Sequence, residues 1–176
     1  MKLTLRLRVL ITTIVTVLIL GHLAWDYFHG GIPTHYMLHS DDLPGIPNWL
    51  GAIILPFFTW FLLIRISKRV NNKVRERESL KSIGYRFVAA ALVSVSIAIC
   101  FTNEIDVIDY IMLALFVLAF FIPLYKSEYL LGYVLGASFS FGAFIPVFFG
   151  SILALLFFIF YKFTSLIRGL ISPKAK

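Results

Sequence analysis

Long, uninterrupted apolar runs alternate with short polar or basic segments, and no stretch shows the strict apolar-polar alternation of a half-buried strand. Runs of about 17 to 25 apolar residues match the hydrocarbon core of a bilayer. Six runs are placed on this basis, at 9–25, 49–64, 85–101, 107–125, 129–144 and 146–163. The apolar stretch 129–163 exceeds one untilted crossing and is divided at Phe144, Ile145 and Pro146. The expected fold is all-α, a polytopic transmembrane bundle forming one domain over 1–176. Pro56 is expected to kink the second run, and Asn48 to cap its start. Gly132, Gly136 and Ser140 recur every fourth residue in the fifth run, a stripe that lets a neighbouring helix approach closely.

The basic start followed by an apolar run also fits a cleaved signal peptide. Cleavage after Ala24 would place His22 where a small residue is wanted, and the run continues to Trp25, so an uncleaved first helix is expected.

Charge fixes the sidedness of the six-run scheme. Of the 16 Lys and Arg, three precede the first run, eight lie in 65–86, Lys126 follows the fourth run, and four lie at the C-terminal end. All therefore fall on one side, together with both termini, and the tendency of Lys and Arg to collect in cytoplasmic loops assigns that side to the cytoplasm. The loop 65–86 carries Ile66, Val70 and Val74 at four-residue spacing, which predicts an interfacial amphipathic helix and a surface for anionic lipid headgroups. The formal charge of +7 is absorbed by this topology, and nucleic acid is not an expected partner. A hydrophobic content of 60% excludes an ordinary soluble domain. The expected location is integral to a membrane, the cytoplasmic or inner membrane if the source is bacterial. A homo- or hetero-oligomer is compatible with it.

The opposite side holds all four His and six of the nine acids, in the segment 22–48 and the turn after the third run. Continued as a helix, the first run places His22, Asp26 and His29 on one stripe, ended by Gly30 and Gly31. Pro33 is expected to open a short second helix with His35 and His39 on one face. Imidazole and carboxylate suit zinc or another transition metal, so His22, Asp26, His29, His35 and His39 are the candidate ligands. Asp26, Glu104 and Asp109 are the candidate catalytic carboxylates for metal-assisted hydrolysis of a lipid or amide. The competing reading makes the His, with Trp25, Tyr27, Tyr36 and Trp49, an interfacial belt without chemistry. Metal or proton transport, sensing, and a non-catalytic accessory role are the functional alternatives. Cys100 cannot form an intrachain disulfide, and no P-loop, dinucleotide fingerprint, HExxH or GxSxG motif is present.

The placing of His and Asp near helix ends resembles the ceramidase-like membrane hydrolases, which implies hydrolytic chemistry. Those proteins draw histidines from several helices, whereas here all four come from one short segment. No family is assigned on that likeness.

Overall fold

A computed structural model describes residues 3–36, 45–71 and 79–171. Among them are six helices: α1 (Leu5–Phe28), α2 (Gly51–Val70), α3 (Leu80–Thr102), α4 (Ile108–Ala119), α5 (Ser127–Phe141) and α6 (Phe144–Ile171). A ribbon of two three-residue strands, β1 (Thr34–Tyr36) and β2 (Gly45–Pro47), and a single 3₁₀ turn, Asn48–Leu50, join α1 to α2.

Local chemistry sets the ends of the helices. The hydroxyl of Thr4 accepts the Leu7 N–H at 3.3 Å, and that of Ser79 accepts the Lys81 N–H at 3.2 Å, so both helices start on a side-chain cap. At the end of α1 the N–H groups of His29 and Gly31 both donate to the Asp26 carbonyl, with Gly30 at φ 121° and Gly31 at φ 98°. The αL-tolerant glycines therefore end this helix as expected. Between α5 and α6 the break falls at Gly142, φ 67°, and not at the expected Phe144 to Pro146. Pro146 sits in the first turn of α6, where its missing N–H has no intrahelical partner to lose. Pro56 lies inside α2, which runs unbroken past it.

Four helical stretches are long and apolar enough to cross a membrane by length and composition: Leu5–Phe28, Asn48–Val70, Leu80–Thr102 and Phe144–Ile171. In three of them only 17% of the most apolar window is buried inside the protein, so most of their hydrocarbon faces outward, the pattern a lipid solvent favours. The remaining two are shorter. α4 has 12 residues and α5 has 15, about 18 and 22 Å at 1.5 Å per residue.

α5 is the central helix, flanked by α2, α3 and α6, while α1 packs on α2 and α4 rests against α3 and α6. Its contact with α3 is the closest in the bundle. A β-carbon on Gly132 would overlap the Phe87 carbonyl oxygen and stand 3.1 Å from the Ala90 β-carbon. One on Gly136 would overlap the Ser94 hydroxyl and come within 2.8 Å of the Ala91 carbonyl oxygen. The small-residue stripe thus works inside the chain as far as Gly136, and Ser140 is exposed. α6 meets the opposite side of α5, where Gly150 accommodates the Tyr133 ring.

Contacts between helix ends define two ends of the bundle. At one, His22 meets Phe139, Gly51 meets Ala143, and Phe101 meets Phe141. At the other, Leu3 hydrogen-bonds through its backbone to Ser67 and Asn71, Arg69 and Arg86 meet Glu128, and Arg168 lies over Phe121. The second end is the basic one.

The region 65–86 differs from the sequence expectation. α2 continues to Val70 and α3 begins at Leu80, so helix occupies most of the predicted loop. Ile66 and Val70 are buried with Leu3, Ile83 and Leu131 and do not face a membrane surface. The reason is the Leu3 backbone, whose N–H and carbonyl are both bonded to the side chains of Asn71 and Ser67, drawing the start of α1 across the last turn of α2. Val74 lies outside the described residues.

Gly132→Ala is expected to destabilise the bundle by about 1 to 3 kcal/mol, the range for forced overpacking. Gly21→Ala, where a β-carbon meets nothing within 4 Å, should be neutral or stabilising by about 0.5 kcal/mol through helix propensity. Unfolding titrations in mixed micelles of the two variants check the contrast.

Candidate functional site

The end of the bundle opposite the basic residues carries the candidate chemistry. α1 extends three residues past Trp25, which brings His22 and Asp26 one turn apart on the same face. His22 Nε2 lies 3.7 Å from Asp26 Oδ2, and the two side chains are only 22% and 16% exposed. That distance is too long for a hydrogen bond, and Asp26 Oδ2 is buried without a hydrogen-bond partner among the described residues. The His22 ring presents its edge to Phe139 of α5 at 5.3 Å. Beneath it is a recess of about 70 Å³ lined by Val15, Ile19, Leu55 and Ser138 among others.

His29 shares the predicted stripe but turns the other way. Its ring stacks on Trp25 at 3.8 Å between centroids, and its Nδ1 lies 2.9 Å from the Trp25 carbonyl oxygen. A carbonyl only accepts, so in the neutral ring Nδ1 holds the proton and Nε2 keeps the lone pair.

Past the glycines the sequence expectation fails. Thr34–Tyr36 is a strand and not the start of a helix, paired antiparallel with Gly45–Pro47 in the register Thr34 with Pro47, His35 with Ile46 and Tyr36 with Gly45. β-Branched Thr34 and aromatic Tyr36 favour extended backbone, and Pro47, lacking an N–H, is tolerated on a two-stranded edge. The alternation of a strand, not the turn of a helix, therefore governs His35, and His39, Asp41 and Asp42 lie outside the described residues. Asn48 also departs from its expected role. It lies within the 3₁₀ turn, donates its backbone N–H to the Pro33 carbonyl at 3.0 Å, and buries its side chain without capping α2. That bond closes the foot of the ribbon beside the start of α2.

Glu104, Asp106 and Asp109 are all exposed. Glu104 takes the left-handed conformation, φ 53°, as α3 closes with the Ile105 N–H on the Cys100 carbonyl at 2.9 Å. Asp109 stands in the first turn of α4, where its charge complements the helix dipole. Among the described residues no three His, Cys, Asp or Glu side chains converge. His22 and Asp26 are brought together, and Glu104 and Asp109 are not brought to them.

The most enclosed ionisable group stands at the other end and was not among the sequence candidates. Glu128, in the first turn of α5, is fully buried and is bridged by Arg69 of α2 and Arg86 of α3, the latter at 3.1 Å. It lies one and two turns before Gly132 and Gly136 on the same face. That face was already marked by the small residues, and the signal for Glu128 was its place on it opposite a helix that carries Arg86 in its second turn.

Glu128→Ala removes the buried carboxylate that Arg69 and Arg86 share and is expected to cost about 3 kcal/mol. In a double-mutant cycle with Arg86→Ala the coupling should be about 1 to 3 kcal/mol, read from unfolding midpoints in micelles. Comparison with protein-family models, curated proteins and solved structures finds no match to this chain.

Proposed function

We propose that this chain is an integral multi-pass membrane protein in which all six helices lie within the bilayer, the basic end faces the cytoplasm, and the opposite end carries a transition-metal site. The exclusive placing of Lys and Arg supports the orientation. The single observation that carries the site is the His22–Asp26 pair, a nitrogen and an oxygen donor 3.7 Å apart, largely enclosed, with a carboxylate oxygen that accepts no hydrogen bond from the described residues. An ionisable pair near an apolar boundary is costly unless it has a task. His29 adds a lone pair whose orientation is set by a backbone carbonyl, the arrangement that commonly directs an imidazole toward a metal. His35, His39, Asp41 and Asp42 supply further ligands of the same character in the adjoining segment. Nitrogen and oxygen donors together suit zinc.

The chemistry this site would support is hydrolysis of a lipid ester or amide. A metal-bound water would attack the carbonyl, with Asp26, Glu104 or Asp109 as the general base. Metal or proton transport uses the same residues without consuming substrate. An accessory role has less support, because the Gly132–Gly136 face expected to receive a partner is already occupied by α3.

Protein purified in mild detergent is expected to hold stoichiometric zinc or another transition metal by elemental analysis. His22→Ala and Asp26→Asn should each weaken metal retention about tenfold or more while helical content is unchanged. Metal-free wild-type protein that gains none on titration removes the reading. Release of acyl product from a lipid, set against ion uptake into liposomes, separates hydrolysis from transport.

A further inference from the structure

The His22–Asp26 pair stands over the recess between α1, α2 and α5, and His22 itself lines it. The floor is made by Val15 and Ile19, on the two turns of α1 that precede His22, with Leu55 of α2 and Ser138 of α5, all of them buried. Ser138 is the one hydroxyl in the wall. It donates to the Val134 carbonyl at 2.5 Å, so its proton is already committed. His22 is therefore the only ionisable group at the recess, and everything beneath it is hydrocarbon or a bonded hydroxyl. A cation leaving the pair inward meets no ligand set there, whereas a hydrocarbon segment meets walls of its own kind.

The rim decides what can enter. Leu18 is 56% exposed and Phe139 61%, on the outward surface of α1 and α5. Leu18 lies ten residues before the end of α1, about 15 Å along the axis, which is hydrocarbon depth in the membrane reading above. The recess therefore opens sideways into lipid. Its volume of about 70 Å³ takes a few methylenes and excludes a headgroup, so the remainder of a chain lies along the rim in contact with the bilayer.

We infer that the recess binds the methylenes next to the carbonyl of a glycerolipid acyl chain drawn laterally from the bilayer, and so sets that carbonyl beside His22 and Asp26. The inference deepens the hydrolytic reading above and rests on it. It names the substrate class as an acyl lipid that arrives through the membrane, and not a water-soluble ester or amide. In the reaction the oxygen of water bonds to the acyl carbon, the ester C–O bond breaks, and the leaving alcohol oxygen takes the proton. Because the chain passes from one hydrocarbon surrounding to another, the recess contributes orientation more than affinity.

The test uses full-length protein in phosphatidylcholine nanodiscs with one of two phosphatidylcholine probes, carrying a photoreactive diazirine either close to the acyl carbonyl or near the chain end. The near-carbonyl probe is expected to label Val15, Ile19 and Phe139 at least threefold more than Leu92, an outward residue that lies ten residues before the end of α3 and so at matching depth. The chain-end probe should show no such preference. Val15→Phe, which fills the floor, should abolish the preference while helical content is unchanged. Equal labelling of recess and outward residues by the near-carbonyl probe, or a preference that survives Val15→Phe, overturns the inference. The comparison of the two probes needs only wild-type protein and decides the matter even if Val15→Phe fails to fold. Metal content measured on the same sample separates the readings: focused label on metal-free protein removes the metal site alone, and diffuse label on metal-bearing protein removes the recess alone.

Discussion

At Gly132 and Gly136 the backbone of α3 comes so near α5 that no side chain fits between them, and the remaining architecture follows from that approach. Both helices begin at the basic end and run side by side, and the pairing of Arg86 with Glu128 is repeated at the same sequence spacing by Ala90 with Gly132 and by Ser94 with Gly136. Three consecutive turns thus lock a single register. Without hydrophobic pressure between helices in lipid, close van der Waals contact is what drives association, and removal of β-carbons is how it is reached. A one-residue slip would rotate both glycines off the interface and carry Glu128 away from its arginines, so steric fit and charge pairing reinforce one another. The buried carboxylate by itself stabilises little, since its desolvation cost offsets much of the attraction. Its contribution is to make the wrong registers worse.

The two ends of the bundle are built by opposite means. At the basic end, side chains close onto one another: Ser67 and Asn71 hold the Leu3 backbone, and Glu128 gathers α2, α3 and α5. At the other end His22 meets Asp26 of its own helix without a hydrogen bond between them, and Glu104, Asp106 and Asp109 stand exposed at the turn from α3 into α4. Charged side chains drawn from three helices onto one carboxylate hold those helices together. By burial, Glu128 is the more conspicuous ionisable group of the two ends.

Much of this could be read along the chain, and the failures share a cause. Helical periodicity and length placed six helices near their observed positions, because a long apolar run has few other ways to satisfy its backbone. The glycine stripe was legible for the same reason, since small residues every fourth position have one obvious use in such a helix. The segment after Gly31 was misread because a three-residue strand carries too little periodicity to distinguish it from a helical turn. Only its pairing with Gly45–Pro47, nine to thirteen residues away, decides between them. Ile66 and Val70 were misassigned to a membrane surface because amphipathic spacing shows that a face is covered but not by what. Glu128 escaped notice because sidedness counts weigh acids by location, whereas its partners are set by the helix face it shares with Gly132.

The shortness of α4 connects these observations. Pro123 cannot continue a helix, and α4 has already ended at Ala119, so residues 120–126 complete the path to the basic end as irregular backbone. Local hydrogen bonds and the aromatic rings of α6 hold this segment in place. Ile122 donates to the Leu118 carbonyl at 2.8 Å, Leu124 to Ile122 and Lys126 to Pro123, while Phe120 stacks on Phe160 and Tyr125 packs against Phe158 of α6. A chain held by tight local turns does not fill the slot a regular helix would fill. With alanine and glycine on the facing surfaces of α3 and α6, nothing compensates for the missing turns of α4, and the space left over is an apolar cavity of about 280 Å³ between α3, α4, α5 and α6. The early stop of α4 thus accounts for the void.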